Sequence, residues 1–450
     1  MKQTVFQHSW LQSIFLLLIA SIAYWNAFDG AFQFDDYAVI VDNNAVHSLS
    51  GWYKSLPGIR PLLKLSYTVN WISGTGLFGF HLFNLACHLA NCLLVFAILK
   101  RWPATSLATP AFIAAALFAL HPVNTEAVTY LSGRSVSLMA FFYLAAFLAY
   151  FKSYETADSH ANLWRTLISP MLFLAALATK ETAWTLPFAL MLWEYARAPK
   201  AWQQSMMKLM PLLRMMLVGF VLIFSLDSYR YLFEFSFQSR APVNNVLTQL
   251  SGQVYLLTQL FWPFHPNIDP DLKVISQITF PSAIQIVSIL GLLIIGVIQL
   301  RQRPWLGLAI LWFFLHLIPT NSLVPRLDVA NDRQLYLACI GPIFAVTYAV
   351  SQIFMHKTLH RNLMCLITIG VFLVLGSITF SRNADYQSEI SLWQVTVEQS
   401  PYKARAWLNL GYAYRLAGKH DEAVAAYQKA LMLKPDYEQA RINLKVLVPD

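Results

Sequence analysis

Phe34-Asp35-Asp36-Tyr37 places two adjacent carboxylates just after the first long apolar run of the chain. Close to a membrane surface such a pair suits acid–base work. One carboxylate accepts a proton from an attacking hydroxyl while the other stays ionised and binds. Taken alone, an Asp-Asp pair is more often a solvated acidic turn, since loops are polar for many reasons. Further segments shift that balance: Arg60 in Ile59-Arg60-Pro61-Leu62, His121-Pro122-Val123-Asn124-Thr125-Glu126, Gly133-Arg134, Lys180-Glu181 and Asn331-Asp332-Arg333. Arginines at a water–lipid boundary are natural ligands for a phosphate head group, being planar, permanently charged and bidentate. Each arginine alone would read as an interfacial side chain that snorkels to water. His81 and His88 read as packed polar residues of one helix, and no His, Cys and carboxylate spacing suggests a structural zinc site.

Membrane helices must position these residues. The 450-residue chain is 57% hydrophobic, 14% aromatic and 12% charged, with a mean hydropathy of +0.48, whereas soluble domains run near ~25% charged. A soluble enzyme is excluded. Charge is uneven as well: residues 382–450 hold nine Lys/Arg and eight Asp/Glu, the density of a soluble domain. Apolar runs near the ~20 residues that cross a bilayer fall at 9–28, 78–99, 107–121, 135–151, 166–179, 182–196, 211–227, 281–300, 304–320, 335–355 and 363–380. The first has only Lys2 as a basic flank and no clean small-residue cleavage site, so it reads as an uncleaved anchor. The stretch 246–265 carries Gln249, Gln253 and Gln259 and reads as an interfacial or re-entrant helix.

With eleven spans and a cytoplasmic N-terminus, 13 Lys/Arg against three acids fall inside, and 10 Lys/Arg against 12 acids fall outside before the tail. That obeys the positive-inside rule and places Asp35, Asp36, Arg60, Arg134, Lys180 and Arg333 on the outer face with the tail. The net charge of +9 therefore reflects orientation, and no patterned basic face points to nucleic acid. Cys87, Cys92, Cys339 and Cys365 lie in apolar runs as small filler. Residues 404–437 fit one 34-residue tetratricopeptide unit, through Trp407, Leu410, Gly411, Tyr414, Ala423, Tyr427, Ala430 and Pro435. Residues 388–400 resemble the second helix of an earlier, incomplete unit. One full unit is too little for a free solenoid, so it is expected to lean on the membrane part. The domains are thus 1–381, membrane, and 382–450, repeat.

The chain resembles the GT-C superfamily of polytopic glycosyltransferases, and more closely the transmembrane and tetratricopeptide-repeat O-mannosyltransferase family. Carrying the resemblance are Phe34-Asp35-Asp36, Arg60-Pro61-Leu62, Phe80-His81-Leu82-Phe83-Asn84, His121 to Val128, Gly133-Arg134, Thr179-Lys180-Glu181, Arg333 with Tyr336-Leu337, Arg382-Asn383 and Leu392-Trp393. Departures are the short repeat array, Ser135-Val136-Ser137 after Arg134, and Asn331-Asp332-Arg333-Gln334 where an Ala-Glu-Arg-like run is usual. The resemblance implies an all-α GT-C-type fold and inverting transfer of a sugar, such as mannose, from a polyprenyl-phosphate donor to a protein Ser/Thr hydroxyl. It implies Asp35 as general base, with Asp36 orienting acceptor or sugar. Arg60, Arg134, Lys180 and Arg333 would bind the donor phosphate, and His121, Glu126, Glu181 and Tyr336 would shape the pocket. No cofactor or essential metal is expected, and the repeat would present the protein acceptor. The absence of an Asn-x-Ser/Thr sequon and the short tail point to a bacterial inner membrane, with site and repeat in the periplasm. The alternatives are an oligosaccharyltransferase or polymerase using lipid-diphosphate donors, and a non-catalytic scaffold, which would not need the Asp pair.

Overall fold

Long runs of Leu, Ile, Ala and Phe fold as helices here because a helix satisfies its own backbone hydrogen bonds, the condition for crossing lipid. The computed structural model describes residues 9–102, 108–155, 160–354 and 358–448. Lys2, the first residue of the expected 107–121 span and the last of the 335–355 span lie outside them. No strand occurs among the described residues, and the protein is an all-α polytopic membrane chain.

Seven helical segments among those residues are long and apolar enough to cross a bilayer: Ser9–Asp29, Gly76–Leu99, Leu131–Glu155, His160–Thr179, Pro199–Ser225, Phe280–Gln302 and Asn362–Gln387. Two bent pairs, Thr109–Leu120 with Pro122–Val128 and Asp332–Ala338 with Ile340–Ile353, turn by 54° and bring the number to nine. The expected spans 182–196 and 304–320 are helical but short. Leu186–Arg197 has 12 residues and Pro304–Leu317 has 14, against the ~20 of a straight crossing.

The first bend has a local cause. Pro122 has no N–H to continue the helix, and His121 becomes an extended cap whose Nδ1 accepts from the Val123 N–H. The chain then continues, turned by 54°, through the short helix Thr125–Val128. In the core, Ala111, Ala114, Ala115, Ala116 and Ala119 are all buried. Small side chains let their helix sit close against Ser9–Ala23, Gly76–Leu99 and Ile340–Phe354.

The ambiguous 246–265 stretch is the helix Pro242–Phe261, which is not among the membrane-crossing candidates. Its polar face is buried inside the protein. Asn245 donates to the Ser322 carbonyl, Gln253 to the Asn321 carbonyl, and Gln249 accepts from Asn321.

The tail is four helices, Glu389–Gln399, Ala404–Leu416, His420–Leu433 and Glu438–Leu447. Gly411 has to be glycine, because a Cβ there would lie 2.6 Å from the Tyr427 ring. The tail leans on the membrane part through a shared core of Tyr130, Ile268, Tyr386, Leu392, Trp393 and Ala406.

Candidate functional site

The loop after the first helix is fixed before it reaches Asp35. Gln33 donates to the Tyr386 carbonyl at 2.6 Å, and the Phe34 N–H donates to Glu389 Oε1 at 2.8 Å. Phe34 takes φ 42°, a left-handed conformation that costs a non-glycine residue about 1–3 kcal/mol. Its ring meets Trp393 edge-on, centroids 5.2 Å apart, so the first tail helix holds the strained residue in place.

Next in the chain, the two aspartates part ways. Asp36 is fully buried and accepts from the Gln33 N–H at 2.9 Å, the Ser132 N–H at 2.7 Å and the Ser132 hydroxyl. Burial pushes its carboxyl up to about 7, against the pull of those hydrogen bonds. Asp36 therefore ties the loop to Ser132. The Asp35 side chain is 42% exposed and lines a cavity of about 340 Å³, within the ~300–1,000 Å³ of small-molecule sites. Its N–H donates to the Tyr130 hydroxyl at 2.9 Å.

Lining the same cavity as Asp35 are Arg60, Lys180, Arg326 and Arg333, with Asp328 the only other carboxylate in the lining among the described residues. Arg333 Nη1 is 3.9 Å from Asp35 Oδ2, its Nε is 3.3 Å from Glu126 Oε1, and its N–H donates to Glu126 Oε2 at 3.0 Å. Glu126 thus orients Arg333. Arg60 stands at φ 51° before Pro61, its N–H donating to the Tyr229 hydroxyl and its Nε and Nη2 to Glu181. Burial would raise the Glu181 carboxyl, but Arg60 holds it down at about 2. Lys180 is buried, and burial together with Arg60, Arg333 and Arg326 drives its ammonium well below the usual lysine range. The same burial and the nearby Arg333 also lower Arg326. Four basic side chains thus line one cavity, Arg60 paired with Glu181 and Arg333 with Glu126, an arrangement whose chemistry suits an anion.

The remaining expected residues lie elsewhere. Arg134 is fully buried, donating to Asn84 Oδ1 and to the Ser66 and Phe80 carbonyls, with its guanidinium over the Tyr67, Phe80 and Phe83 rings. It joins three helices behind the cavity rather than facing it. His121 Nε2 bonds the Leu260 carbonyl, and Tyr336 bonds His88 and Asn91 inside the bundle. Gly133 lets the 131–133 turn press on Glu126, since a Cβ there would sit 2.0 Å from the Glu126 carbonyl oxygen. Arg326, Asp328, Ser132 and Glu389 were not anticipated. The signal for Arg326 was available: Pro325-Arg326-Leu327-Asp328 is a charged pair beside Asn331-Asp332-Arg333. No group of three His, Cys or carboxylate side chains gathers as a metal site among the described residues.

Residues 404–437 match the tetratricopeptide repeat family model. The chain is 25% identical over 464 residues to protein O-mannosyl-transferase F38B6.6 of Caenorhabditis elegans, covering 95% of this chain and 63% of that protein. It is 25% identical over 490 residues to protein O-mannosyl-transferase TMTC3 of Homo sapiens, covering 96% and 53%. Over 185 residues it is 34% identical to protein O-mannosyl-transferase Tmtc1 of Drosophila melanogaster, 37% of this chain and 21% of that protein. The chain is a homologue of these transferases. It spans roughly half to two thirds of the length of the first two relatives. No solved structure matches it.

Proposed function

We propose that the protein is a membrane mannosyltransferase that takes its sugar from a polyprenyl-phosphate donor and places it on a protein Ser/Thr hydroxyl, on the non-cytoplasmic side. The juxtaposition of Asp35 with Arg60, Lys180, Arg326 and Arg333 around one cavity carries this reading, and the named relatives supply mannose and protein. Asp35 removes the hydroxyl proton as the acceptor oxygen bonds to the anomeric carbon. The bond from that carbon to the phosphate oxygen breaks, and its electron pair leaves with the polyprenyl phosphate. The departing phosphate goes from one negative charge toward about −1.5 to −2. Fixed cations that meet this growing charge lower the barrier without reorganising. Attack opposite the leaving group inverts the anomeric centre. Asp36 takes no part in proton transfer in this scheme; it aims Asp35 through Ser132.

Purified protein supplied with mannosyl polyprenyl phosphate and a Ser/Thr peptide is expected to transfer mannose with inverted configuration, in the presence of EDTA. Transfer only from a diphosphate-linked glycan, or none from either donor, would contradict the proposal.

A further inference from the structure

A second cavity, of about 430 Å³, opens on the other side of the loop that carries Asp35. One wall is Phe34, Tyr37 and Asp42 of that loop. The opposite wall is the repeat, with Asn409 and Tyr412 on Ala404–Leu416 and Gln439 and Asn443 on Glu438–Leu447. The spacing of each pair, three or four residues, puts both members on one helix face. Glu389 also lines it, so among the described residues the lining holds two carboxylates, Asp42 and Glu389, and no cation.

We infer that this groove binds the acceptor polypeptide as an extended segment with a basic side chain near the modified Ser or Thr. This deepens the proposed function and rests on its polypeptide acceptor. An extended chain offers one N–H and one C=O per residue, and a carboxamide can both donate and accept. Asn409, Gln439 and Asn443 supply three carboxamides on facing helices. The Asn409 Nδ2 is shielded from solvent and has no hydrogen-bond partner among the described residues. Asp42 and Glu389 attract a Lys or Arg of the occupant and repel an acidic one. Phe34 lines this groove and Asp35 lines the cation cavity, so a chain lying in the groove passes beside the proposed base. The two cavities divide the reactants, polypeptide on one side of the loop and sugar phosphate on the other.

Fluorescence anisotropy of labelled Ser/Thr peptides with the full-length protein, without donor, tests this independently of catalysis. A peptide flanked by Lys is expected to bind about tenfold more tightly than its Glu-flanked counterpart, the sum of two partly exposed charge pairs. Asp42→Lys should erase or reverse that preference. Asn409→Leu with Asn443→Leu should weaken all peptides several-fold. Equal affinity for both peptides, or affinity untouched by these substitutions, overturns the inference, as does occupation of the groove by a second copy of the chain seen as peptide-competed self-association. Selective binding without any transfer would leave the groove standing and remove the proposed function instead.

Discussion

Asp35 and Asp36 are chemically identical neighbours, and their surroundings give them different work. Three donors and complete burial make Asp36 a fastener, while Asp35 keeps an open side toward the cavity. The sequence marked the pair, but not which member faces substrate, because that depends on Ser132, which lies almost a hundred residues away in the chain. The cations were legible in the same partial way. Arg60, Lys180 and Arg333 line one cavity, and Arg134 lies outside that lining, held by carbonyls of two other helices. Lys180 yields a prediction with a definite sign. Its ammonium is depressed in the free protein, and a bound phosphate, by adding negative charge, raises it again. Donor binding then takes up a proton between the free and bound values, so donor affinity should fall by up to tenfold per pH unit as pH rises through that window. Lys180→Met should bind donor more weakly at low pH and lose this dependence. Equal pH profiles for the two proteins, measured as donor Kd, would contradict the role.

At the scale of elements, the tail is part of the site's construction. Glu389 and Trp393 hold Phe34, and Tyr386 accepts from Gln33. Arg405 of the repeat bonds Asp269 at 2.7 Å and Asp328 at 2.6 Å, and Asp328 lies 4.0 Å from Arg333. Burial would raise Asp328, but Arg405 and Arg333 hold it below the usual carboxylate range. Arg405→Ala leaves Asp269, whose side chain is 3% exposed, with Lys403 Nζ still 3.4 Å away, and takes the arginine from Asp328. The expected cost is about 1–2 kcal/mol, below the ~3–5 of a fully buried pair because Arg405 is partly exposed and Lys403 remains beside Asp269. Thermal unfolding should show the loss, and hydrogen exchange should rise both in 389–447 and in 31–36. Exchange confined to the repeat would mean that the tail does not brace the loop. The repeat was legible because its small and aromatic residues recur at fixed spacing. That one unit must lean on the membrane part was legible too, but not where, because Asp269 and Asp328 come from separate loops that only the folded chain brings together.

At the scale of the whole molecule, the apolar runs lie on helices, yet among the described residues seven segments, or nine with each bent pair counted as one span, have the length to cross, against the eleven expected. Hydropathy misses this because an apolar run does not reveal where its helix starts and stops: the α-helix in 182–196 begins only at Leu186, and the one in 304–320 ends at Leu317. Orientation rests on charge. In the expected eleven-span topology, in which 304–320 also crosses, the basic 301–303 turn lies on the side opposite the tail, as the positive-inside rule requires. A reporter active only outside the cytoplasm should therefore be active when fused to the C-terminus and silent when inserted at 301–303. The reverse pattern would put Asp35 and its cations on the cytoplasmic side.

The central claim is that Asp35 takes the acceptor proton opposite a cation-lined phosphate site. Single-turnover transfer by Asp35→Asn, with donor binding measured on the same sample, tests it most directly. The expected result is a fall in the chemical step of about 10²–10⁴-fold, with the protein folded, membrane-inserted and binding donor within about twofold of the unsubstituted chain. Transfer at an undiminished rate would place the base elsewhere.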